Sequence, residues 1–479
     1  MNRPVTLDRA DAIDMVIVGA GPAGLAAAAA AATRGASVML LDEQPEPGGQ
    51  IYRAIERNAA RPSAGRQRER LGEMLGPDYR RGARLLEALG RADVQHVRGA
   101  RVWRVDPDRT VSWSTGASSG EARPRTLVLA AGALERPFPV PGWTLPGVMT
   151  VGGAQTLMKA SGVVPHAAAL VGCGPLLYLF ATQLIDAGHP PLALIETQSW
   201  SDQLRALPRL PAALRAHRYL TKGLALLQRI RRAGVKRYVG AEQIAIEGGA
   251  HVERLRFRAG GRDLAFETDS VLLHVGVVPN IQMSMALRLE HEWYRPQRYW
   301  RPRLDAFGRT AAEGVFIAGD GAGIGGAVAA EHRGELAALA ALVQLGRVEQ
   351  GAIAARVESV RRSLEAELAP RAFLDALYPT PAQARQPADA TVVCRCEEVT
   401  AADVRRYASL GCKGPNQTKA FGRCGMGWCQ GRYCGLTVAE LLAEANGIEP
   451  EQVGYYRIRS PIKPVTLGEL AAHAEQGGG

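Results

Sequence analysis

The stretch from Asp14 to Glu43 reads DMVIVGAGPAGLAAAAAAATRGASVMLLDE, and it decides the fold of this chain. A short β-branched run, Val16 to Val18, ends in a glycine-rich turn. An alanine-rich run follows, and then a second apolar run that closes on Asp42. This order predicts a strand, a tight turn, a helix, a second strand and an acid, which is the arrangement of a dinucleotide-binding unit.

The residues of the turn suit different parts of a dinucleotide. Gly19 permits the tight turn, Gly21 lets the backbone approach a pyrophosphate, and Gly24 lets the helix pack close to the sheet. The free N–H groups and positive dipole end of the helix suit the phosphates, and Asp42 can accept ribose hydroxyls. A glycine-rich turn without a ligand is the alternative. The predicted cofactor residues here are Gly19, Gly21, Pro22, Ala23, Gly24, Asp42 and Glu43.

Three later stretches are expected to meet the same cofactor. The loop EQPEPGGQIYR follows the second strand, and its glycines permit close backbone approach, although a plain surface loop is the alternative. The apolar run RTLVLAA predicts a buried strand that ends in a small-residue turn. The run EGVFIAGDGAGIGG delivers an acid that can bind a ribityl chain and opens a helix whose N-terminus can face a flavin. The predicted residues are Gly49, Gln50, Ala131, Gly132, Gly319 and Asp320.

Residues 167–196 repeat the opening pattern, which predicts a second Rossmann unit inserted in the first. Gly172 and Gly174 keep the first two glycines, Leu177 replaces the third, and Glu196 closes the second strand. Leucine at the contact between helix and strand would force the helix outward. We therefore favour a structural or vestigial unit over a working nicotinamide site, which remains the alternative.

Composition and charge narrow the class of protein. The chain has 479 residues, 47% apolar and 22% charged, and a formal net charge of +11. These values indicate an ordinary globular chain of several domains. Arginine clusters at 61–70 and 229–237 indicate solvated faces or, as the alternative, an acidic partner or a membrane surface. No nucleic-acid motif accompanies the charge, so we expect no nucleic-acid partner.

The long uncharged run Met15 to Ala32 raises the question of a membrane span or signal peptide. Three aspartates precede it, a glycine–proline break interrupts it, and much of it is weakly apolar alanine. We expect neither a membrane span nor a signal peptide. Residues 1–13 are expected to form an N-terminal arm. We expect a cytoplasmic protein that could lie peripherally at the inner face of the membrane.

The cysteines predict a metal centre. Six of the seven lie between Cys394 and Cys434, and an odd count in a cytoplasmic chain argues against a disulfide framework. Two close pairs of thiolates suit a tetrahedral iron–sulfur or zinc site. The predicted ligands are Cys394, Cys396, Cys429 and Cys434, and we expect Cys412 and Cys424 to be bystanders.

Three segments together resemble the two-dinucleotide-fold flavoprotein reductases over roughly residues 12–345. They are GAGPAG, LVLAAGALERPFPVPG and TAAEGVFIAGD. The resemblance implies FAD, with its adenosine end at Gly19–Gly24 and Asp42 and its ribityl chain at Asp320. This region contains only Cys173 and lacks the paired cysteines of the disulfide reductases, which excludes thiol–disulfide chemistry.

The C-terminal run GMGWCQGRYC resembles a bacterioferritin-associated-ferredoxin-like [2Fe-2S] domain, with zinc as the alternative. With DEQPEPGGQIYR, GCGPLL and AGDGAGIGGA, the whole order resembles the A-type (alpha) subunits of opine oxidases and D-hydroxyproline dehydrogenases and the B-type subunit of hydrogen cyanide synthase. In that family a separate oxidase-type flavoprotein (beta) subunit oxidises the amine, and the A-type subunit passes electrons on. The resemblance allows FMN at the subunit interface and a respiratory-chain acceptor at the membrane surface.

No convincing acid–base pair marks a substrate site, so the catalytic residues stay unassigned. His274 is expected to be a satisfied core histidine, and Glu331 with His332 is a weak catalytic candidate. A self-sufficient NAD(P)H-dependent reductase is the alternative function, and a regulatory flavoprotein with a zinc knuckle is a third.

We expect an α/β chain: a two-dinucleotide-binding-domain flavoprotein with glutathione-reductase-like Rossmann folds and a small helical iron–sulfur domain. The predicted segments are FAD-binding 12–150 and 284–345, an inserted NAD-like domain 151–283, a helical linker 346–390, the [2Fe-2S] domain 391–446 and a tail 447–479.

Overall fold

The computed structural model describes residues 13–59, 66–116 and 118–477. Nearly all of the expected N-terminal arm lies outside these residues, as does much of the arginine cluster at 61–70. Within the described ranges, no helix combines the length and the apolar character that a bilayer span requires.

The first third of the chain alternates short strands with helices. In order, its elements are β1 (Met15–Val18), α1 (Pro22–Ala32), β2 (Val38–Asp42), α2 (Ile55–Ala59), α3 (Arg66–Arg80), α4 (Gly82–Gly90), β3 (Val94–Arg98), β4 (Arg101–Val105), β5 (Val111–Ser114), β6 (Ser119–Ala122), β7 (Thr126–Leu129), β8 (Ala133–Glu135), β9 (Val148–Thr150) and α5 (Val151–Ser161).

The middle of the chain repeats this alternation. Its elements are β10 (Ala169–Cys173), α6 (Pro175–Asp186), β11 (Ala193–Glu196), α7 (Trp200–Ala206), α8 (Leu210–Ala213), α9 (His217–Arg232), β12 (Lys236–Val239), β13 (Glu242–Glu247), β14 (Arg254–Ala259), β15 (Arg262–Glu267), β16 (Val271–Val275), β17 (Val277–Pro279), α10 (Gln282–Ala286), β18 (His291–Tyr294), β19 (Tyr299–Pro302), β20 (Val315–Ile317) and α11 (Ala327–Gln344).

The last part is mainly helical. Its elements are α12 (Gln350–Leu368), α13 (Arg371–Leu377), α14 (Ala382–Arg385), β21 (Val392–Cys394), β22 (Val399–Thr400), α15 (Ala401–Ser409), α16 (Pro415–Gly422), α17 (Gly435–Asn446), α18 (Pro450–Val453) and α19 (Leu467–Gly477).

The first five-stranded sheet has the order β20-β7-β1-β2-β3, and all of its pairings are parallel. Every residue of β1 is buried, as expected for a parallel strand that is covered on both faces. The strand order reverses at β1, and ligands of open α/β sheets bind outside the carboxyl ends of the strands at such a point. The ends of β1, β7 and β20 therefore bring the predicted glycine turns together.

The second five-stranded sheet has the order β12-β11-β10-β16-β9 and is also parallel. It confirms an inserted second Rossmann unit. Its edge strand β9 begins at Val148, a few residues before the predicted start of the insert, because this strand pairs with β16. The chain crosses between the two units twice, and the strands at these crossings, β8 and β17, pair with each other in antiparallel fashion.

The cysteine-rich domain shares a hydrophobic core with the first sheet. Buried residues of β1, β2, β7 and β20 belong to the same core as Cys394, Val404 and Leu441. Residues of the predicted tail also enter this core, among them the buried Tyr456 and Ile462. The tail is therefore packed onto the cysteine-rich domain.

Candidate cofactor sites

The first glycine turn is shaped by close backbone contacts. Gly19 has a φ of +107°, and a Cβ there would lie 2.4 Å from the carbonyl oxygen of Ala130. A Cβ on Gly24 would lie 1.8 Å from the carbonyl oxygen of Gly19. Gly21 is the N-cap of α1 and gives no side-chain cap, so the first N–H groups of the helix are available to an anion.

Asp42, at the end of β2, is held against this turn. Its Oδ2 accepts from the backbone N–H of Ala20 at 2.6 Å, and its Oδ1 accepts from that of Gln44 at 2.7 Å. Burial raises the pKa of Asp42, and the two backbone donors act in the opposite direction. Glu43 points elsewhere and forms an ion pair with Lys463 of the C-terminal segment. No sequence signal indicated Lys463, because it is distant in the chain and reaches the acid only through folding.

The loop after β2 lies directly on the turn. The N–H of Gly48 donates to the carbonyl of Ala20 at 2.8 Å, and a Cβ on Gly49 would lie 2.9 Å from the Cα of Gly21. The carbonyl of Gln50 accepts from the buried Lys159 of α5 at 3.2 Å. Burial lowers the pKa of Lys159 to about 7. The sequence did not single out this lysine.

A buried asparagine oxygen marks the turn after β7. The N–H of Asn280 donates to the carbonyl of Gly132 at 3.0 Å, and its Nδ2 donates to the carbonyl of Ala131 at 3.4 Å. Its Oδ1 is buried and has no hydrogen-bond partner among the described residues. Such an orphaned acceptor costs free energy unless a donor from a bound group reaches it.

Asp320 follows β20 and caps the next loop. Its Oδ1 accepts from the N–H groups of Gly325 and Gly326 at 2.8 and 3.0 Å, just before α11 begins. Gly319 packs tightly, since a Cβ there would lie 2.8 Å from the Cβ of Ala23. Arg333 on α11 was not predicted. It donates to the carbonyls of Gly319 and Gly323, and burial lowers its pKa.

These features fit an FAD. Four glycine-containing turns meet at the carboxyl ends of β1, β7 and β20, and they contain Gly21, Gly49, Gly132 and Gly319. Glycine has no side chain and so leaves room there for a ligand. Two helix N-termini, those of α1 and α11, open into the same region. The orphaned oxygen of Asn280 can accept from a donor bound there.

The second glycine turn is engaged by the protein itself. Glu196 is fully buried and accepts from Tyr178 at 2.7 Å and from the Arg237 guanidinium at 2.5 and 2.9 Å. The Cys173 thiol donates to the carbonyl of Pro379 at 3.8 Å, so the linker runs beside the turn. The carboxylate that would hold a ribose is thus already satisfied, and part of the space beside the turn is filled.

His274 and Glu331 both have side-chain partners from other parts of the chain. His274 is 3% exposed and its Nδ1 lies 2.5 Å from Oε1 of Glu135, which confirms the expected satisfied core histidine. Glu331 is buried, pairs with Arg81 at 2.7 Å and accepts from Tyr52 at 3.2 Å. Its carboxylate therefore ties α11 to the segments before α4.

Three buried thiols form a compact group in the C-terminal domain. The Sγ atoms of Cys394, Cys424 and Cys434 lie within 4.8 Å of one another. Hydrogen bonds from the Cys424 and Cys434 thiols lower the pKa of Cys394 to about 2, and N–H groups of Gly425 and Glu397 add to this lowering. A stabilised thiolate among close thiols is the donor chemistry of an iron–sulfur or zinc centre.

The other two predicted ligands, Cys396 and Cys429, are neighbours: burial raises the pKa of the Cys396 thiol, and the backbone N–H of Cys429 acts in the opposite direction. The sulfur of Cys396 lies 3.2 Å from where a Cβ of Gly427 would be. Cys424, expected to be a bystander, instead lies with the predicted ligands, whereas Cys412 is not in the group. The ligand assignment itself remains a prediction.

The cysteine-rich domain is fastened to both Rossmann units. Arg298 forms a double hydrogen bond with Glu440 at 2.5 and 2.6 Å, and the Trp143 indole donates to the carbonyl of Val392 at 2.6 Å. Gln282, buried on α10, reaches the carbonyl of Gln430 at 3.4 Å.

Two family models match the chain. The pyridine nucleotide-disulphide oxidoreductase model matches residues 13–341, and the sarcosine oxidase A3 domain model matches residues 389–474. The A-type subunit of opine oxidase from Agrobacterium tumefaciens (strain Ach5) is 46% identical, across 98% of this chain and 93% of the relative. This chain belongs to the family of opine oxidase A-type subunits. It is an FAD-dependent oxidoreductase, as the fold and the sequence resemblance indicated.

Other relatives extend this family. The HcnB subunit of hydrogen cyanide synthase from Pseudomonas aeruginosa (strain PAO1) is 32% identical across 94% of this chain and 96% of its own length. The L-proline dehydrogenase structure from P. horikoshii superposes with a TM-score of 0.68 at 20% identity, over 96% of this chain and 79% of that chain. Because the superposition covers 96% of this chain, the shared fold extends into the cysteine-rich domain.

Proposed function

We propose that this chain is the electron-transfer subunit of a heteromeric dehydrogenase or oxidase for opines or other secondary amino acids. A partner flavoprotein subunit of the oxidase type carries the substrate site, and FMN at the subunit interface is part of the proposal. This chain receives the electrons and passes them to a respiratory acceptor. The relatives named as opine oxidase subunits support the substrate class.

The observation that carries the proposal is the junction between the two candidate cofactor sites. Asn280 binds the turn at Ala131 and Gly132, and two residues later Gln282 contacts Gln430, which adjoins Cys429. When bound, FAD takes up two electrons and can release them singly, and a [2Fe-2S] cluster carries one electron at a time. The residues of this junction connect the two candidate sites, and residues of both sites belong to one hydrophobic core.

In this proposal the residues of the chain bind and orient the cofactors. Gly19, Gly21 and Gly24 make room for the FAD pyrophosphate at the N-terminus of α1. Asp42 presents a carboxylate to the adenosine ribose, and Asp320 orders the loop before α11. Cys394, Cys396, Cys429 and Cys434 hold the cluster, with the Cys424 thiol beside them.

The second Rossmann unit supports the proposal by what its own residues bind. Glu196 is engaged by Arg237 and Tyr178, and Pro379 lies against Cys173. A nicotinamide dinucleotide would have to displace these contacts. We therefore expect neither NADH nor NADPH to reduce the flavin at a useful rate.

Anaerobic stopped-flow of the isolated chain tests the function. Neither NADH, NADPH nor an opine should bleach the flavin of the chain alone, whereas an opine should bleach it once the partner subunit is added. Fast bleaching by NADH or NADPH with a hyperbolic concentration dependence would instead establish a self-sufficient reductase.

The junction has its own test. Gln282→Leu removes the contact with Gln430 and keeps a buried side chain of similar size, so reduction of the cluster should slow while flavin bleaching is unchanged. Gln383→Leu is the matched control, because Gln383 bonds the backbone of Ile244 away from the cysteines. Equal cluster reduction in both variants would contradict a role for the junction.

The cluster is tested by iron and sulfide analysis and by EPR of the reduced protein. We expect one [2Fe-2S] cluster per chain, lost in Cys434→Ser and retained in Cys412→Ser. Stoichiometric zinc without iron after anaerobic purification would refute it.

A further inference from the structure

The helical segment after β11 carries a row of exposed apolar side chains. The exposed fraction is 72% for Trp200, 66% for Leu204, 53% for Leu207 and 55% for Leu214, and Pro211 between them is exposed too. The backbone stays right-handed helical through α7, α8 and the turns between them. Spacings of four and three residues therefore place all five on one side, and we call these five residues the apolar ridge.

The opposite side of the segment is firmly packed. Ala206 and Ala213 are fully buried and Ala216 is 6% exposed, while α7 and α8 pack against α13. Asp202 is buried and forms a capping box with Ser199 at the start of α7. The small residues are thus turned inward and the large apolar ones outward, the reverse of an ordinary surface helix.

The chain segment that contains the ridge is rich in positive charge. Residues 199–237 contain ten lysines and arginines and a single acid, the buried Asp202, in a chain whose net charge is +11. Some of these cations pair with acids of other elements, as Arg218 does with Glu367. Arg209 and Arg215 belong to the same segment, are exposed and form no ion pair with a described residue. Arg231, Arg232 and Lys236 have the same character.

We propose that the apolar ridge and its arginines dock this chain on an anionic phospholipid bilayer. Tryptophan and leucine suit the boundary between headgroups and acyl chains, and arginine suits lipid phosphates. The segment offers exposed cations and no exposed acid, which matches the charge of an anionic lipid surface. The inference rests on the proposed function, in which electrons leave for a respiratory acceptor, and it assigns a surface to that step.

Vesicle flotation of the full chain tests the surface. We expect binding to phosphatidylcholine vesicles that contain about 30% phosphatidylglycerol, weak binding to pure phosphatidylcholine, and release by salt. The triple variant Trp200→Ser, Leu204→Ser and Leu207→Ser should lower the partition coefficient at least about tenfold. Arg209→Ser with Arg215→Ser should lower it by roughly tenfold, most strongly at low salt.

The control variant is Leu410→Ser with Leu467→Ser, whose leucines are 58% and 86% exposed outside this segment. It should bind vesicles as the unmodified chain does. Thermal melts check that every variant is folded. Absence of wild-type binding to anionic vesicles, or unchanged binding of the triple variant, would overturn the proposal. A triple variant that still binds vesicles but no longer copurifies with the partner flavoprotein would reassign the ridge to that interface and overturn it too.

A second readout separates this inference from the proposed function. The opine-dependent reduction of a soluble dye, measured with the partner flavoprotein present, should be unchanged in the triple variant. Loss of vesicle binding with full dye reduction supports the surface. Failure of the wild-type complex to reduce the dye would refute the proposed function, and the flotation result would still decide the surface.

Discussion

The two Rossmann units have the same local architecture, but the acid at the end of the second strand has different hydrogen-bond partners in each unit. Asp42 lies at the end of β2 and is bound by backbone N–H groups of its own turn and loop, close to Gly21. Glu196 lies at the end of β11 and is bound by side chains, those of Arg237, Tyr178 and Gln198. Backbone donors leave the surrounding space open to a ligand, whereas side chains fill it. A glycine motif therefore indicates a site only when side chains do not already surround its acid.

The largest expected effect is the loss of bound flavin from the first Rossmann unit. Gly21→Val places a side chain where the pyrophosphate would lie, and the structure has room for it, since the nearest heavy atom to a Cβ there is the Gly49 Cα at 3.8 Å. The variant should fold and lose at least about tenfold of its bound flavin, measured by absorbance of the purified chain. A folded Gly21→Val protein with full flavin would refute the assignment. Gly24→Val is the contrasting variant and should not fold, because its Cβ meets the Gly19 carbonyl.

The second effect concerns the acid of the second unit. Glu196→Gln removes the buried carboxylate that pairs with Arg237. Because the Arg237 side chain is 33% exposed, water can solvate the remaining charge, and we expect a loss of about 1–3 kcal/mol. Urea denaturation should show this loss while flavin content stays unchanged. In Asp42→Asn we expect the converse, flavin affinity lowered by roughly tenfold. Equal behaviour of the two variants would remove the distinction between the units.

A third variant tests whether Leu177 alone accounts for the difference in nucleotide binding that we expect between the two units. Leu177→Gly restores the three-glycine pattern but removes a fully buried leucine, which costs about 3 kcal/mol or more. We expect no gain of NADH reduction, because Glu196 and Pro379 still fill the site. Measurable flavin bleaching by NADH in this variant would show that the leucine is the main obstacle.

The smallest effect concerns Lys159, which joins the two units through Gln50. Burial lowers its pKa from 10.5 to about 7. Between these pH values the unfolded chain binds a proton that the folded chain does not, so this residue's contribution to the free energy of unfolding rises with pH from about 7 to 10. Relative to wild type, Lys159→Met should gain stability near pH 7, by about 1–3 kcal/mol, and lose that advantage towards pH 10.

Urea denaturation of both proteins across this pH range measures the difference. A difference that stays constant with pH would show that Lys159 keeps its ordinary pKa in the folded chain. Lys222→Met is the control, because that lysine is exposed and should show no such trend.

The sequence predicted most of the structural elements that depend on the local spacing of residues. It predicted both Rossmann units and the helical character of the last domain, because strands, turns and helices repeat with fixed periods. It missed Lys463, Arg333 and Cys424, whose roles depend on contacts between distant segments. It could not predict the partners of Glu196, because an acid that follows a strand looks the same in sequence whether its partner is a ribose or an arginine.

The sequence by itself determined the fold class, the first glycine turn, the thiol-rich domain and the excess of cations at 199–237. All of these are properties of adjacent residues, which propensity and composition fix. The tertiary structure decided which acid is bound by side chains, which thiols meet, and that Trp200 and its neighbours face outward. Those outcomes depend on which distant side chains compete for the same space and the same hydrogen bonds, and only packing settles that competition.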